Sequence, residues 1–248
     1  FACIVGAMLS HAFAVGSVLG TVMSPLVCVS AAEMSPVAAA ESVVARVTPS
    51  AKGAVSFRLN PAMGNKITIS GAPGGIRVEA SDVRRLVAGY GWYLKNIAKV
   101  HFSWNGDRLT LPSPLPAPST PVTIESPWNT VFAYNYCTLS YTAAFWDWNR
   151  WQREIDFLAL SGFTHALVTA GLEKTWEDFL IGLGYPREKA LRFIPNPAFA
   201  AWWNMGNLEG HGGPLTQQQI DRMAQMGRRI VSRMEQLGMT PVLQGYGG

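Results

Sequence analysis

The chain has 248 residues, of which 48% are hydrophobic and 15% are charged. This composition is typical of a globular protein with a large core and excludes a disordered chain. The formal net charge is +4, but the basic residues form no run longer than a pair such as Arg84-Arg85. Because nucleic-acid binding needs a clustered basic face, the charge does not indicate a nucleic-acid partner.

Residues 1–32 differ from the rest of the chain, since they contain no Asp, Glu, Lys or Arg. Small residues precede Glu33, as they do at a signal-peptidase site, so we expect a signal peptide that lacks its own start. A membrane anchor is the alternative, because the run is long enough to span a bilayer. After removal of the signal we expect no stable membrane insertion.

The mature chain would keep a single cysteine, Cys137, because Cys3 and Cys28 lie in the leading segment. No internal disulfide could then form. The sequence also contains no Asn-x-Ser/Thr sequon, which an animal glycoprotein would usually carry. These features favour a secreted or periplasmic protein of a bacterium.

Residues 42–112 are predicted to form a small α+β domain. A helix with Ser81 as its N-cap runs to about Asn96, and two short strands joined by Asn105-Gly106 form a hairpin after it. Three earlier runs alternate apolar and polar residues, as half-buried strands do. These runs are 54–59, 66–70 and 75–79.

The pattern changes after residues 113–127, a Pro-rich stretch that we interpret as a stiff, non-helical linker. Residues 128–248 read as strand, helix, strand, helix and strand, with buried strands that are nearly continuous apolar runs. The strands are predicted at 131–137, 165–170 and 240–244, and the long helices at 146–160 and 216–237. This order predicts a parallel sheet with right-handed crossovers.

We therefore expect an α/β fold in which the small domain precedes the first three units of a (β/α)8 TIM-type barrel. Three strands cannot close a barrel, so we expect the chain to be truncated. In such barrels the active site lies on the loops after the strands. The corresponding stretches are 135–138, 169–173 and 245–248, and the second connection also contains 202–207. Their Trp, Asn and Glu residues are typical of a carbohydrate site, because Trp faces stack on sugar rings and polar groups bond hydroxyls.

Four stretches of the chain resemble the start of the α-N-acetylglucosaminidases, glycoside hydrolase family 89. They are 134–141, 145–156, 197–208 and 238–243. The resemblance implies a retaining hydrolase that removes terminal α-linked N-acetylglucosamine from a glycan without a cofactor. Retention requires two carboxyl groups about 5 Å apart. In the family these are glutamates on later strands, so we expect both beyond Gly248 and expect the chain as given to be inactive.

The resemblance also implies that Asn135, Cys137, Trp202 and Met205 bind substrate. We interpret Glu173, which follows the second strand, as a hydrogen-bonding partner of sugar hydroxyls and not as a catalyst. All of these residues except Asn135 have a structural alternative. Glu173 could be a loop cap or part of an ion pair, and Cys137 could be a small buried hydrophobic residue. Trp202 and Met205 could be ordinary core residues.

Other classes of site have no support in the sequence. There is no Cys-x-x-Cys or His-Glu-x-x-His motif and no Asp-rich loop, so no metal site is expected. A non-catalytic carbohydrate-binding barrel is the main alternative function. A doubly wound nucleotide-binding enzyme is less well supported, because the glycine fingerprint is missing. The oligomeric state is not indicated.

Overall fold

The computed structural model describes residues 34–208 and 211–243. The expected signal peptide over residues 1–32 and the third strand-end stretch, 245–248, lie outside the described residues. Among the residues that are described, no helix is both long enough and apolar enough to cross a membrane.

The N-terminal part is a four-stranded sheet on which two helices pack. The strands are β1 (Val55–Leu59), β2 (Lys66–Ala72), β3 (Gly75–Ala80) and β4 (Val122–Glu125), and the helices are α1 (Pro36–Val47) and α2 (Val83–Asn96). The order is β1-β3-β2-β4, with β1 and β3 parallel and the other pairs antiparallel. Successive side chains of a strand point to opposite faces of the sheet. In β2, Ile67 and Ile69 therefore share one face, and both point into the core.

Helix α2 begins one residue later than the sequence predicted. Asp82 is the N-cap, and its Oδ1 accepts a hydrogen bond from the backbone N–H of Arg85 over 2.9 Å. Ser81, the predicted cap, instead donates its hydroxyl to the carbonyl oxygen of Gly64. Both residue types can cap a helix, so the tertiary contact of Ser81 decides between them.

The predicted hairpin over 100–111 is reduced to one antiparallel bridge between His101 and Arg108. The Pro-rich stretch also differs from the prediction, because its later part forms β4. This strand pairs with β2 from Lys66 opposite Glu125 to Ile69 opposite Val122. No proline interrupts residues 122–125, so each of them can take part in a sheet ladder.

The C-terminal part is a three-stranded parallel sheet in the order β5-β6-β7, flanked by helices. The strands are β5 (Phe132–Ala133), β6 (His165–Leu167) and β7 (Thr240–Val242). The helices are α3 (Tyr136–Thr138), α4 (Trp148–Leu160), α5 (Leu172–Gly182), α6 (Arg187–Phe193), α7 (Ala200–Asn204) and α8 (Gln217–Gln236). The mixed α/β prediction is confirmed. The first strand was predicted too long, because Asn135 caps α3 and ends the extended backbone.

The two parts share one continuous core. Helix α2 crosses α4 so closely that a Cβ atom at Gly91 would lie 1.9 Å from the carbonyl oxygen of Leu160. Such an approach requires a residue without a side chain. The predicted domain boundaries stay a prediction.

Candidate functional site

The carboxyl ends of β5 and β6 open onto a cavity of about 500 Å³. Its walls come from the loops that follow these two strands, from residues 196–200 and from one face of α8. This size is typical of small-molecule sites. Trp146 and Trp151 contribute aromatic surface, and Glu173 contributes a carboxyl group.

The backbone turns sharply at Tyr134, directly after β5. Its φ angle is +77°, a left-handed conformation that costs a residue with a side chain about 1 to 3 kcal/mol. The Tyr134 hydroxyl donates a hydrogen bond to Oε1 of Glu154, which is fully buried. Burial, together with the charge of Glu154, raises the pKa of Tyr134, so the hydroxyl stays protonated as a donor.

Glu154 stabilises this turn by accepting hydrogen bonds from three side chains. Besides Tyr134, Trp104 donates its Nε1–H to Oε1 over 3.0 Å, and Arg150 donates to Oε2 over 2.8 Å. A buried carboxylate is tolerated only when it is paired and hydrogen-bonded, and Glu154 meets both conditions. The network fixes the backbone that leads into Asn135.

Asn135 lies at the strand end with its side chain folded over the start of α3. Its Oδ1 accepts hydrogen bonds from the N–H and the hydroxyl of Thr138, over 2.9 and 3.0 Å. Its amide NH₂ donates to no residue in the described part of the chain and is exposed. Cys137 is half-buried with a free thiol in the same helix. The amide NH₂ is therefore the group that Asn135 can offer to a ligand.

Ser140 joins this strand end to a segment about 60 residues further along the chain. Its buried hydroxyl donates to the carbonyl oxygen of Pro197 over 3.1 Å and accepts from the N–H of Ala201 over 2.9 Å. The contact brings Trp202 edge-on against Tyr141, with 6.0 Å between the ring centroids. Asn135, Cys137 and Trp202 thus come from two distant segments that pack together as α3 against α7.

Met205 lies at the end of α7 and is 40% exposed. It does not line the cavity, and neither do Asn135, Cys137 and Trp202. The structure therefore places the predicted site residues in two adjoining regions. One is the surface where α3 meets α7, and the other is the cavity that contains Glu173, with Ser140 and Pro197 in its wall.

Glu173 is the second residue of α5 and is only 6% exposed. Its Oε2 accepts a hydrogen bond over 3.0 Å from the N–H of Gly171, which has a φ of +93°. Burial raises the pKa of Glu173 to about 7, although backbone hydrogen bonds act in the opposite direction. One carboxylate oxygen of Glu173 therefore acts as the loop cap that the structural alternative expected. The side chain also borders the cavity. Its predicted bond to sugar hydroxyls stays a prediction.

Sequence reasoning missed the residues that support the strand end, namely Tyr134, Glu154 and Ser140. The i, i+4 spacing of Arg150 and Glu154 is a recognisable signal for an ion pair on a helix. No local signal marks Tyr134, because left-handed backbone is usually read from Gly or Asn. Ser140 acts through a long-range contact that only the fold creates.

Two family models match the chain, one ending within the Pro-rich stretch and the other beginning after it. Residues 38–117 match the alpha-N-acetylglucosaminidase (NAGLU) N-terminal domain, and residues 131–248 match the alpha-N-acetylglucosaminidase (NAGLU) tim-barrel domain. The chain belongs to the α-N-acetylglucosaminidase family. The resemblance of the sequence to glycoside hydrolase family 89 is thereby confirmed.

Individual members of the α-N-acetylglucosaminidase family agree with this assignment. The chain is 34% identical over 223 residues to human alpha-N-acetylglucosaminidase, covering 87% of this chain and 30% of the human protein. It also resembles a family 89 glycoside hydrolase from Clostridium perfringens in complex with 2-acetamido-1,2-dideoxynojirmycin. The TM-score is 0.81 and the identity 32%, over 86% of this chain and 25% of that one.

A second structure of the Clostridium perfringens enzyme has a TM-score of 0.81 and 31% identity, again over 86% of this chain and 25% of that one. It carries two glutamate-to-glutamine substitutions and contains its substrate, GlcNAc-α-1,4-galactose. The chain therefore spans between 25% and 30% of the length of these relatives.

Proposed function

We propose that the chain forms the first part of a glycoside hydrolase that removes terminal α-linked N-acetylglucosamine with retention of configuration. The proposal rests on the packing of the segment that contains Asn135 and Cys137 against the segment that contains Trp202, beyond the end of β5. It also rests on the chain's membership of this family. The substrate of the Clostridium perfringens relative, GlcNAc-α-1,4-galactose, supports the choice of sugar and linkage.

We infer that β5, β6 and β7 are the first three strands of a (β/α)8 barrel. Their parallel pairing in sequential order supports this, as does the match of residues 131–248 to a tim-barrel domain. The family-model matches over residues 38–117 and 131–248 support a small domain over 42–112 and a catalytic domain over 128–248.

Each proposed site residue has a chemical role that follows from its surroundings. The free NH₂ of Asn135 donates to a sugar oxygen, and the half-buried ring of Trp202 stacks against a sugar face. Cys137 and Met205 supply small or flexible apolar contact. Glu173, with its pKa raised to about 7, can accept or donate a hydrogen bond near neutral pH.

Retention requires a nucleophile and an acid/base about 5 Å apart. Glu173 is a poor candidate for either role, because one of its oxygens is committed to the backbone N–H of Gly171. We propose that both catalytic glutamates belong to later strands of the complete enzyme. The role of the chain is then to bind and orient the sugar.

Hydrolysis of an aryl α-N-acetylglucosaminide by the full-length protein tests the proposal. We expect turnover, with the α-anomer of N-acetylglucosamine appearing first in NMR spectra of the released sugar. Replacing Trp202 by alanine should raise KM, whereas replacing the exposed Trp128 should leave KM unchanged. Sugar binding without turnover would favour the non-catalytic carbohydrate-binding alternative, and absence of both would refute the proposal.

We also propose that the protein is exported, either secreted or into a bacterial periplasm. The uncharged stretch 1–32 and the small residues before Glu33 support export. Mass spectrometry of protein recovered from the medium or periplasm should find a mature chain that begins at Glu33. Protein retained in the cytoplasm with residues 1–32 attached would contradict export.

A further inference from the structure

A second cavity, of about 420 Å³, lies between α1, α4 and α8. It shares no lining residue with the cavity at the strand ends. Its wall contains four arginines, three glutamine amides and one serine hydroxyl, and no Asp or Glu. The four arginines are Arg46, Arg228, Arg229 and Arg233.

Two of these arginines share one carboxylate, that of Asp156 in α4. The Nε and Nη2 atoms of Arg46 each donate a hydrogen bond to the Asp156 carboxylate over 2.7 Å. Arg233 donates to the same carboxylate over 3.3 Å. Arg228 and Arg229 form no ion pair within the described chain. Among the described residues, the ion pairs of these four guanidinium groups involve one carboxylate, so their positive charge is only partly compensated.

Arg233 is 5% exposed, and its Nε–H has no hydrogen-bond partner among residues 34–208 and 211–243. Burial and the neighbouring charge of Arg46 lower the pKa of Arg233. A buried donor without a partner is costly, and so is the proximity of like charges. A bound anion would reduce the repulsion between these arginines.

Arg229 is held in place before any ligand arrives. Its guanidinium carbon lies 4.1 Å from the centre of the Trp148 ring, a cation–π contact that limits the motion of the side chain. A guanidinium fixed in this way loses less conformational entropy when it binds. Gln152, Gln225 and Ser232 contribute further polar groups to the wall of the same cavity.

We propose that this cavity binds a tetrahedral oxyanion, phosphate or sulfate, either free or as the monoester of a small organic molecule. Guanidinium groups bind both anions through paired N–H donors, and amide NH₂ and hydroxyl groups complete such sites. The volume of about 420 Å³ exceeds that of a single oxyanion and lies within the range of small-molecule pockets, which favours an ester.

Calorimetric titration of the full-length protein tests the site. The probes are inorganic phosphate, inorganic sulfate, glucose 6-phosphate and glucose 6-sulfate, each in chloride buffer at constant ionic strength. We expect saturable binding that becomes at least about tenfold weaker in the double variant R228Q/R229Q. The variant R228Q, which keeps the Arg229–Trp148 contact, should show a smaller loss. If the two sugar esters bind more tightly than inorganic phosphate and sulfate, the ligand is an ester of an organic molecule. If the inorganic anions bind as tightly as the esters, the ligand is the free anion. Both results support the site.

The control is the double variant R77Q/R108Q, which removes two exposed arginines remote in sequence from the cavity wall. Its affinity should stay within about twofold of the wild type. Thermal stabilisation by the same anions is a second readout. Sulfate and phosphate stabilise many proteins by exclusion from the surface, so only the difference between the two double variants counts. No heat beyond the chloride blank, or equal binding by the two variants, would overturn the proposal.

Discussion

At the scale of single residues, the carboxyl group of Glu173 links ionisation to stability. Its pKa is raised from 4.5 to about 7 in the fold, because burial disfavours the charged form. The folded state therefore binds a proton more tightly than the unfolded state does. Below pH 4.5 both states are protonated and ionisation costs nothing, and as the pH rises to 7 the cost grows to its full value.

Glutamine at position 173 removes this cost and keeps an oxygen that can accept from Gly171. Between pH 4.5 and pH 8 the free energy of unfolding of wild type should fall, relative to E173Q, by about 3 kcal/mol. Urea unfolding of both proteins across this range measures the difference. If the two pH profiles run parallel, Glu173 is not protonated in the fold and the raised pKa is wrong.

A second prediction at this scale concerns the strained turn at Tyr134. Phenylalanine at this position removes a donor to the buried Glu154. We expect a loss of about 1 to 3 kcal/mol in unfolding free energy and a lower kcat/KM, because Asn135 is the next residue. The matched control is Tyr185→Phe, since Tyr185 is 52% exposed and should change stability by less than about 0.5 kcal/mol. Equal effects of the two changes would show that the hydroxyl of Tyr134 does not hold the turn.

At the scale of elements, a close contact between α8 and the loop after β6 forms one wall of the strand-end cavity. Helix α8 begins with a capping box, in which Thr216 and Gln219 satisfy each other's backbone N–H groups. Further along the helix, Gly227 touches the loop. A Cβ atom there would lie 2.2 Å from the carbonyl oxygen of Ala170.

Alanine at Gly227 tests this contact. In an unhindered helix position the change from Gly to Ala stabilises by up to about 1 kcal/mol, because alanine has the higher helix propensity. At Gly227 we expect the opposite sign, with about 1 to 3 kcal/mol lost to overpacking. Gly182 in α5 is the matched control, since a Cβ atom there meets no atom within 4 Å. Thermal unfolding measures both, and stabilisation of G227A would show that α8 does not lie against the loop.

At the scale of the whole molecule, Asp156 of α4 connects the N-terminal and C-terminal parts. Its carboxylate is paired with Arg46 of α1 and with Arg233 of α8, and it is 1% exposed. Alanine at this position leaves two arginines facing each other without a counter-charge. We expect a loss of about 3 to 5 kcal/mol in unfolding free energy.

Glu188→Ala is the control for this prediction, because it breaks an exposed ion pair with Arg192. Exposed pairs contribute little, so urea unfolding should show a change below about 1 kcal/mol. If D156A were as mild as E188A, the shared hydrophobic core alone would hold the two parts together. The salt dependence should differ as well, since the buried pair is screened less than the exposed one.

Whether a feature of this protein could be predicted from its sequence depends on the range of the interactions that form it. The capping box of α8 and the mixed α/β order could be predicted, because both depend on residues within a few positions of one another. The N-cap of α2 was misassigned by one residue, since Ser81 bonds to Gly64 through the tertiary fold. Strand β4 was missed because it needs the edge of β2 for its pairing.

For the candidate site, the sequence by itself placed Asn135 and Glu173 near the ends of the first two strands and indicated which family the chain resembles, because motif and periodicity are local properties. Only the tertiary structure decided that Trp202 lies against Tyr141, and that Glu173 borders a separate cavity. It also decided that four arginines line one cavity and that two of them share the carboxylate of Asp156. Each of these contacts depends on how helices and loops pack across long stretches of chain, and local patterns of residues do not record that packing.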